Sequence, residues 1–153
     1  MATIRFHTTT ASTPEQFVAG LTDFGPGRAK LFSNSHDGSL VVHSQGPTEA
    51  DVTEGSYGIW ERLHYDWSDP NRVVLTTTDS NIWGGRSGHT YTLTRHPGEK
   101  TEIDVVVVRE GKNFGGKVVA AIAAVVGPIV LRRELDKSAR AIEARGDVAD
   151  ARP

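Results

Sequence analysis

The segment TEIDVVVVREGKNFGGKVVAAIAAVVGPIVL, residues 101–131, passes from a strand pattern through a glycine-rich turn into a helical pattern. Its strand part contains four consecutive valines, whose branched side chains favour strands. From Val118 to Val126 a helix would be apolar on every side, which indicates contact with more than one neighbour, whether core, lipid, ligand or protein. Gly127 and Pro128 follow, and the proline predicts a kink or a short break in the helix.

The turn has the spacing of a phosphate-binding loop, with Gly111, four further residues and then Gly116-Lys117. In such a loop a serine or threonine after the lysine binds Mg²⁺, and later strands supply a carboxylate. Here Val118 follows the lysine, and none of the 35 residues after it forms a strand pattern. The glycines therefore predict a sharp turn between strand and helix, and an ATPase or GTPase site is excluded.

Upstream of this segment, short runs of apolar and polar residues are bounded by turn-forming residues. A strand around Ile4 and Phe6 precedes a helix that begins at Thr13-Pro14, with threonine as the cap and proline in the first turn. A second brief helix fits residues 23–32. Six strand patterns follow, with connections too short for crossover helices, so neighbours should pair antiparallel; they are SLVVHSQ, EADVTEG, YGIWERLHYDW, RVVLTTTDS, GHTYTLTRH and TEIDVVVVRE.

These elements predict an α+β fold, in which a curved antiparallel sheet of about seven strands wraps around one long C-terminal helix. One or two short helices follow the first strand. Only the long helix can cover the inner face of such a sheet, and a cavity between the two is a natural consequence. We expect a single ligand-binding domain, residues 1–145, followed by a flexible tail, residues 146–153.

The composition excludes several classes of protein. The net charge of -2 gives no basic footprint for nucleic acid, and the lack of cysteine excludes thiolate catalysis and cysteine-bound zinc. His64 and Asp66 alone are too few to bind a metal, and we expect no metal or cofactor. The first residues contain no apolar stretch of the length expected for a secretory signal, and the apolar run 118–131 is shorter than the roughly 20 residues of a transmembrane helix. A cytoplasmic protein without a transmembrane segment is therefore expected.

Two stretches, ADVTEGSYGIWERLHYDWSDPNRVV at residues 50–74 and TDSN at residues 78–81, resemble bacterial members of the polyketide cyclase/dehydrase and lipid-transport family. That family belongs to the START-like (SRPBCC) helix-grip superfamily. The helix start at Thr13-Pro14-Glu15 and the glycine-proline terminal helix agree with the resemblance, which covers residues 3–145. It implies a helix-grip fold with an internal cavity. It does not specify the chemistry, because the superfamily includes carriers, cyclases and hydrolases.

Period-two alternation selects the side chains expected to face the cavity. The inward set of YGIWERLHYDW includes Glu61, which must find a donor, keep water or stay protonated with a raised pKa. Alternatively, Glu61 reaches solvent at a strand end or pairs with an arginine or tyrosine of a neighbouring strand. Trp83 lies in a long loop and is expected either at the rim of the cavity or as a plug. The expected ligand-binding residues are Glu61, Leu63, Tyr65, Leu75, Thr77, Asp79, Trp83, His89, Tyr91, Val105, Val107, Arg109, Val118, Ile122, Val125 and Val126.

Three functions are consistent with this reading. The first is binding and transport of a small hydrophobic or amphipathic molecule such as a lipid, polyketide or isoprenoid. The second is a polyketide cyclase or dehydratase, with Glu61, His89 and Tyr91 as candidate acid and base groups. The third is an interaction module or homodimer, in which Val118–Val126 or an exposed strand edge docks a partner. The sequence does not decide whether the protein is an enzyme.

Overall fold

The computed structural model describes residues 1–33 and 35–150 and contains one seven-stranded antiparallel sheet. The sheet order is β1-β7-β6-β5-β4-β3-β2, so every strand except the first is adjacent to its neighbour in the chain. The strands are β1 (Ala2–Thr10), β2 (Val41–Gln45), β3 (Glu49–Ser56), β4 (Ile59–Asp69), β5 (Arg72–Ser80), β6 (Gly88–His96) and β7 (Lys100–Arg109), and the helices are α1 (Pro14–Leu21), α2 (Arg28–Leu31) and α3 (Phe114–Asp150). The predicted α+β helix-grip architecture is confirmed.

The two short helices connect β1 to the far edge of the sheet. α1 begins as predicted, because the Thr13 hydroxyl accepts a hydrogen bond from the Gln16 backbone and the Gln16 side chain accepts one from the Thr13 backbone. The short helix α2 lies within the predicted segment 23–32. A single 3₁₀ turn, Asp37–Ser39, then leads into the edge strand β2.

The hydrophobic core lies between the inner face of the sheet, α1 and the second half of α3. Phe17 and Leu21 of α1 and Leu135 and Ile142 of α3 are buried against the sheet. Because Gly20 of α1 has no side chain, Ile142 can approach its Cα closely; an added Cβ would lie 2.7 Å from Ile142 Cγ1. The sheet residues of the same core are Ile4, Ala50, Val52, Leu63, Tyr65, Val73, Leu75, Leu93, Ile103, Val105 and Val107.

α3 is one continuous helix that passes through Pro128, so the predicted break does not occur. Gly127 instead serves packing, because an added Cβ there would lie 3.0 Å from Ile4 Cδ1 on β1. The helix also extends beyond the expected start of the tail at residue 146 and ends at Asp150. Residues 151–153 of the expected tail lie outside the described residues. The assignment of residues 1–145 to a single ligand-binding domain stays a prediction.

The glycine-rich turn between β7 and α3 is a close backbone crossing. A Cβ at Gly111 would lie 2.2 Å from the Lys117 nitrogen, and one at Gly116 would lie 2.2 Å from the carbonyl oxygen of Ile82. The Lys112 backbone also donates a hydrogen bond of 3.0 Å to that carbonyl. The turn therefore holds the start of α3 against the loop between β5 and β6. This agrees with the prediction that the glycines form a sharp turn between strand and helix.

Candidate ligand-binding site

Four neighbouring strands each contribute one side chain to a polar layer on the inner face of the sheet. Arg109 on β7 donates to both carboxylate oxygens of Glu61 on β4, from Nη1 at 2.8 Å and from Nη2 at 3.2 Å. The Thr77 hydroxyl on β5 donates to Glu61 Oε2 at 2.7 Å. His89 on β6 accepts from Arg109 Nη2 through Nε2 at 2.8 Å. Trp83 closes the layer, since the Arg109 guanidinium lies 4.9 Å from the centroid of its ring.

Glu61 is an ionised carboxylate in this layer. Burial alone would raise the pKa of Glu61, but the nearby charges of Arg109 and His89 and the hydrogen bonds from Arg109 and Thr77 outweigh it, so the pKa is lowered. The alternative in which Glu61 pairs with an arginine is therefore the one the structure shows, although Arg109 comes from β7 rather than from an adjacent strand. A carboxylate held in this way is a poor candidate for acid-base catalysis.

His89 and Tyr91 present neutral polar groups. Arginine has only donors, so His89 Nε2 must be the acceptor and the proton of the neutral ring lies on Nδ1. Burial and the charge of Arg109 lower the pKa of His89 to about 4. Burial, together with the charge of Glu54, raises the pKa of Tyr91 to about 12. Near neutral pH both side chains can donate hydrogen bonds, and neither exchanges a proton readily.

A cavity of about 110 Å³ lies between this part of the sheet and α3. Its polar floor is His89 and Tyr91, and its rim contains Ser33 and Glu134, which are hydrogen-bonded to each other. Among the described residues, the Tyr91 hydroxyl and His89 Nδ1 form no hydrogen bond, and both atoms are accessible to solvent, since no buried side-chain nitrogen or oxygen of these residues lacks a partner. The other lining residues are Phe6, Phe32, Val107, Leu131, Leu135 and Ser138.

A second cavity, of about 220 Å³, opens beside the β3–β4 hairpin. Glu61, Arg109 and Trp83 line it together with the exposed side chains of Tyr57 and Trp60. The first cavity reaches the polar layer at His89, and the second reaches it at Glu61 and Arg109. The ion pair therefore forms part of the wall of a solvent-accessible space and is not enclosed in the core.

A buried cluster around Arg28 was not predicted from the sequence. Arg28 of α2 donates from Nε to Glu54 Oε1 at 2.6 Å and from Nη2 to the Tyr65 hydroxyl at 3.0 Å. Its guanidinium lies 4.7 Å from the ring centroid of Phe24 and 4.8 Å from that of Phe32. No helical pattern indicated this cluster, because α2 contains only Arg28–Leu31, and Phe24 and Phe32 lie on either side of it. Glu54 alternates with buried Ala50 and Val52.

Most of the predicted strand residues face inward, but they have different roles. His89, Tyr91 and Val107 line the first cavity, whereas Glu61, Leu63, Trp83 and Arg109 line the second. Tyr65 and Val105 are buried in the core, and Thr77 supports Glu61. Leu75 is a buried core residue whose strand borders a shallow surface groove. Trp83 is buried and therefore folds back into the protein. Of the two expected positions, this is the plug rather than the rim.

Asp79 is a correction to the prediction. A β-bulge shifts the register of β4 and β5, so that Arg62 pairs with Asp79 while Leu63 pairs with Thr77. Thr78 is the extra residue, and beyond it the two faces of the strand are exchanged. Asp79 is therefore exposed, 3.6 Å from Lys112 Nζ, and Ser80 takes the buried position.

The predicted cavity residues of α3 need a second correction. Val118, Ile122, Val125 and Val126 are exposed on the side of α3 that faces away from the sheet. The helix lines the first cavity about one to three turns beyond Val126, through Leu131, Glu134, Leu135 and Ser138. Because the first half of α3 is apolar on every side, its sequence does not indicate which side packs against the sheet. Small residues such as Ala120 and Gly127 make that contact.

The chemistry of the site follows from the residues that line its two cavities. Within residues 1–33 and 35–146, no cluster of three or more histidine and carboxylate side chains could hold a metal ion. The cavity offers apolar walls and two neutral hydrogen-bond donors, with the charges of Glu61 and Arg109 cancelling beside them. Such an arrangement suits an uncharged or amphipathic molecule that carries an acceptor oxygen.

No protein-family model matches the chain, and no curated protein matches it significantly. Solved structures do match. TTHA0849 from Thermus thermophilus is 15% identical, with a TM-score of 0.72 over 94% of this chain and 98% of that one. A START superfamily protein from Mycobacterium smegmatis is 12% identical, with a TM-score of 0.67 over 95% and 97% of the two chains. The Zhui aromatase/cyclase of a Streptomyces species is 15% identical, with a TM-score of 0.67 over 95% and 93%.

At identities this low, the likeness shows the fold alone, and the chemistry has to be argued from the residues of this chain. Coverage is nearly complete on both sides in all three comparisons, so the match concerns the whole architecture rather than one motif. The resemblance stated from residues 50–81 is thereby confirmed at the level of fold. The chain has the START-like helix-grip fold that polyketide cyclase-type proteins also have.

Proposed function

We propose that the protein binds and carries a small, uncharged hydrophobic or amphipathic ligand in the cavity between the sheet and α3. The observation that supports this most directly is the pair of polar groups on the cavity floor, the Tyr91 hydroxyl and His89 Nδ1, which have no partner among the described residues. A carbonyl or hydroxyl oxygen of a ligand would accept hydrogen bonds from one or both. The aromatic and aliphatic walls would enclose the rest of the molecule.

The charges near the cavity set the ligand class. Arg109 is engaged by Glu61 in a bidentate pair, so a ligand carboxylate would have to displace Glu61 and leave it buried without a partner. A neutral ketone, ester or alcohol avoids this cost. We therefore place lipids, polyketides and isoprenoids with neutral oxygen groups ahead of free acids.

The size of the cavity limits what it holds without rearrangement. A volume of about 110 Å³ is somewhat smaller than the roughly 150 Å³ cavity that accommodates benzene. A lipid or an extended polyketide would extend past the polar layer into the second cavity, of about 220 Å³, and would share its wall with Glu61 and Arg109. Ligands of one ring or one short chain fit the first cavity best.

Catalysis of the cyclase type is not the function that the geometry favours. Of the three candidate residues, Glu61 is held by Arg109, and His89 has a pKa of about 4, which makes it a weak base at neutral pH. Tyr91, with a pKa of about 12, is a weak acid. The cytoplasmic location expected from the sequence stays a prediction.

The test uses a fluorescent aryl ketone as the probe, together with native mass spectrometry of the protein after gentle extraction. Leu131→Trp would fill the cavity from α3, whereas Ile129→Trp adds the same bulk to the exposed side of the same helix. We expect Leu131→Trp to abolish saturable probe binding and Ile129→Trp to leave it unchanged. Equal loss in both variants, or no saturable binding in the parent protein, would reject the cavity as the site.

A further inference from the structure

The first half of α3 presents an apolar surface that the cavity does not use. Apart from Lys117, residues 114–131 contain no charged side chain. Ala120 is buried and Gly127 packs on Ile4, whereas the opposite side faces away from the protein, with Val125 78% exposed. We define this surface as the α3 face; its residues are Phe114, Val118, Ile122, Val125, Val126, Ile129 and Val130.

An exposed surface of this length requires a partner. By length and composition, residues 114–146 of α3 could cross a membrane, and only 17% of the most apolar 18-residue window is buried. Length and composition do not establish a span, and here one side of the helix is held by β1 through Gly127 and Ile4. A helix anchored to its domain in this way can lie along a membrane surface, with its apolar side inserted below the lipid headgroups.

The charges at the two ends of the α3 face are of one sign. Lys117 lies near its start, and Arg132 and Arg133 follow its end; all three are exposed. The nearest acidic residues in the chain are Glu110, which lines a surface groove together with Lys117, and Glu134, which is engaged by Ser33 and by Lys137. Cations beside an apolar surface complement the anionic headgroups of a bilayer.

The same charges disfavour a second copy of the chain as the occupant. In an antiparallel pair of α3 helices centred on Val125, Lys117 of one copy would face Arg133 of the other. In a parallel pair, each of these cations would face itself. Like charges placed opposite each other destabilise an interface, so the arrangement opposes a homodimer through this surface.

A second group of exposed apolar residues lies at the same end of the molecule as the start of α3. Tyr57 and Trp60 are exposed at the tip of the β3–β4 hairpin. Asn81 links this tip to the helix, because its amide donates to the Gly58 carbonyl at 2.7 Å and its backbone carbonyl accepts from Asn113 at 2.9 Å. Tyrosine and tryptophan are enriched where proteins meet the headgroup layer.

From these observations we propose that the α3 face docks on the surface of an anionic lipid bilayer, with the hairpin tip at the same interface. Apolar side chains from Phe114 to Val130 enter the acyl boundary, and Lys117, Arg132 and Arg133 contact the headgroups. The mouth of the second cavity, which Tyr57 and Trp60 line, then opens toward the lipid. Docking is independent of whether the first cavity binds a ligand.

The test measures flotation of the full chain with vesicles of phosphatidylcholine, alone or mixed with phosphatidylserine. We expect binding to the mixed vesicles that weakens with added salt. Val125→Asp should weaken it by about tenfold, since a carboxylate would enter the apolar layer. Val41→Asp, the same change at an exposed position of β2, should leave it unaltered. Reversing the charges with Arg132→Glu and Arg133→Glu should reduce binding to the mixed vesicles only.

Two further measurements complete the test. Tryptophan emission should shift to the blue on vesicle binding, and Trp60→Phe should remove most of the shift, because Trp83 is already buried and Trp67 is partly buried against the core. Sedimentation gives the oligomeric state without lipid. Absence of vesicle binding would overturn the proposal. A dimer that Val125→Asp converts to monomer, with no vesicle binding, would overturn it in favour of a second copy on the α3 face.

Discussion

Arg109 on β7 and Glu61 on β4 are joined by two hydrogen bonds although β5 and β6 lie between their strands. Adjacent strands lie about 4.8 Å apart, so three strand spacings in a flat sheet would separate the two backbones by roughly 14 Å. The two long side chains meet over the inner face of the sheet, where Thr77 and His89 of the intervening strands each bond one of them. The ion pair thus bridges the sheet from one side of the cavity to the other, and it links the stability of the fold to the shape of the site.

Removing either partner of this pair should destabilise the protein. Glu61→Leu would leave Arg109 buried without its counter-charge, at a cost of about 3 kcal/mol in the free energy of unfolding, and Arg109→Met should cost a similar amount. The double variant removes both charges and should be more stable than either single variant. Urea denaturation of the four proteins checks this. Additive losses would show that the two side chains act independently.

His89 should make stability depend on pH below neutrality. Its pKa is about 4 in the folded protein against 6.5 for an ordinary histidine, so below about pH 6.5 the unfolded chain binds a proton that the folded one does not. Stability therefore falls as the pH decreases toward 4, and His89 accounts for about 2 kcal/mol of that loss between about pH 7 and about pH 5. His89→Gln keeps an acceptor for Arg109 but cannot titrate. If His89 were instead protonated in the folded protein, the parent and His89→Gln would show the same dependence of stability on pH.

Tyr91 and Tyr65 should respond in opposite ways to loss of the hydroxyl. The Tyr91 hydroxyl faces the cavity, so Tyr91→Phe should leave the free energy of unfolding nearly unchanged and weaken binding of the aryl ketone by roughly fivefold. The Tyr65 hydroxyl accepts from Arg28 and donates to Glu54, so Tyr65→Phe should cost about 2 kcal/mol of stability. Thermal unfolding and probe titration of both variants separate the two roles. A large stability loss in Tyr91→Phe would contradict the assignment.

The adjacent glycines at the start of α3 should tolerate alanine very differently. A Cβ at Gly116 would lie 2.2 Å from the Ile82 carbonyl oxygen, so Gly116→Ala should separate the helix from the β5–β6 loop and cost about 2 kcal/mol. At Gly115 the nearest atom would be 3.6 Å away, and Gly115→Ala should stabilise the helix by about 0.5 kcal/mol. Chemical denaturation distinguishes the two. Equal effects would mean that the crossing is not a tight contact.

The antiparallel pairing of β2 to β7 with their chain neighbours could be predicted from the sequence, because apolar alternation and short connections admit few arrangements. The position of β1 beside β7 was not predicted. The inward positions of Glu61, His89 and Tyr91 followed from the same period of two. The partner of Glu61 could not be predicted, since sheet curvature depends on twist and bulges that no local pattern specifies. The prediction that Asp79 faces the cavity was wrong for a related reason. The bulge at Thr78 exchanges the inner and outer faces of β5 beyond that residue.

The side of α3 that packs against the sheet could not be predicted from the sequence pattern either. A helix that is apolar all round has no amphipathic stripe to indicate its buried side. The contact with β1 is made by Gly127, which carries no hydrophobic signal. The Arg28 cluster differs in part: strand alternation with Ala50 and Val52 indicated that Glu54 faces inward, but no pattern indicated Arg28 as its partner, because α2 is only four residues long.

The pairing of β1 with β7 joins Ala2 to Arg109, so the first strand finds its only sheet neighbour more than a hundred residues later. During synthesis, β1 must wait until the rest of the sheet has left the ribosome, and until then its hydrogen-bonding edge is open to other chains. Because β1 pairs with β7 late in folding, we expect refolding to be slow and sensitive to protein concentration. Its polar alternation, with Thr3, Arg5 and His7 on one face, limits aggregation in that interval.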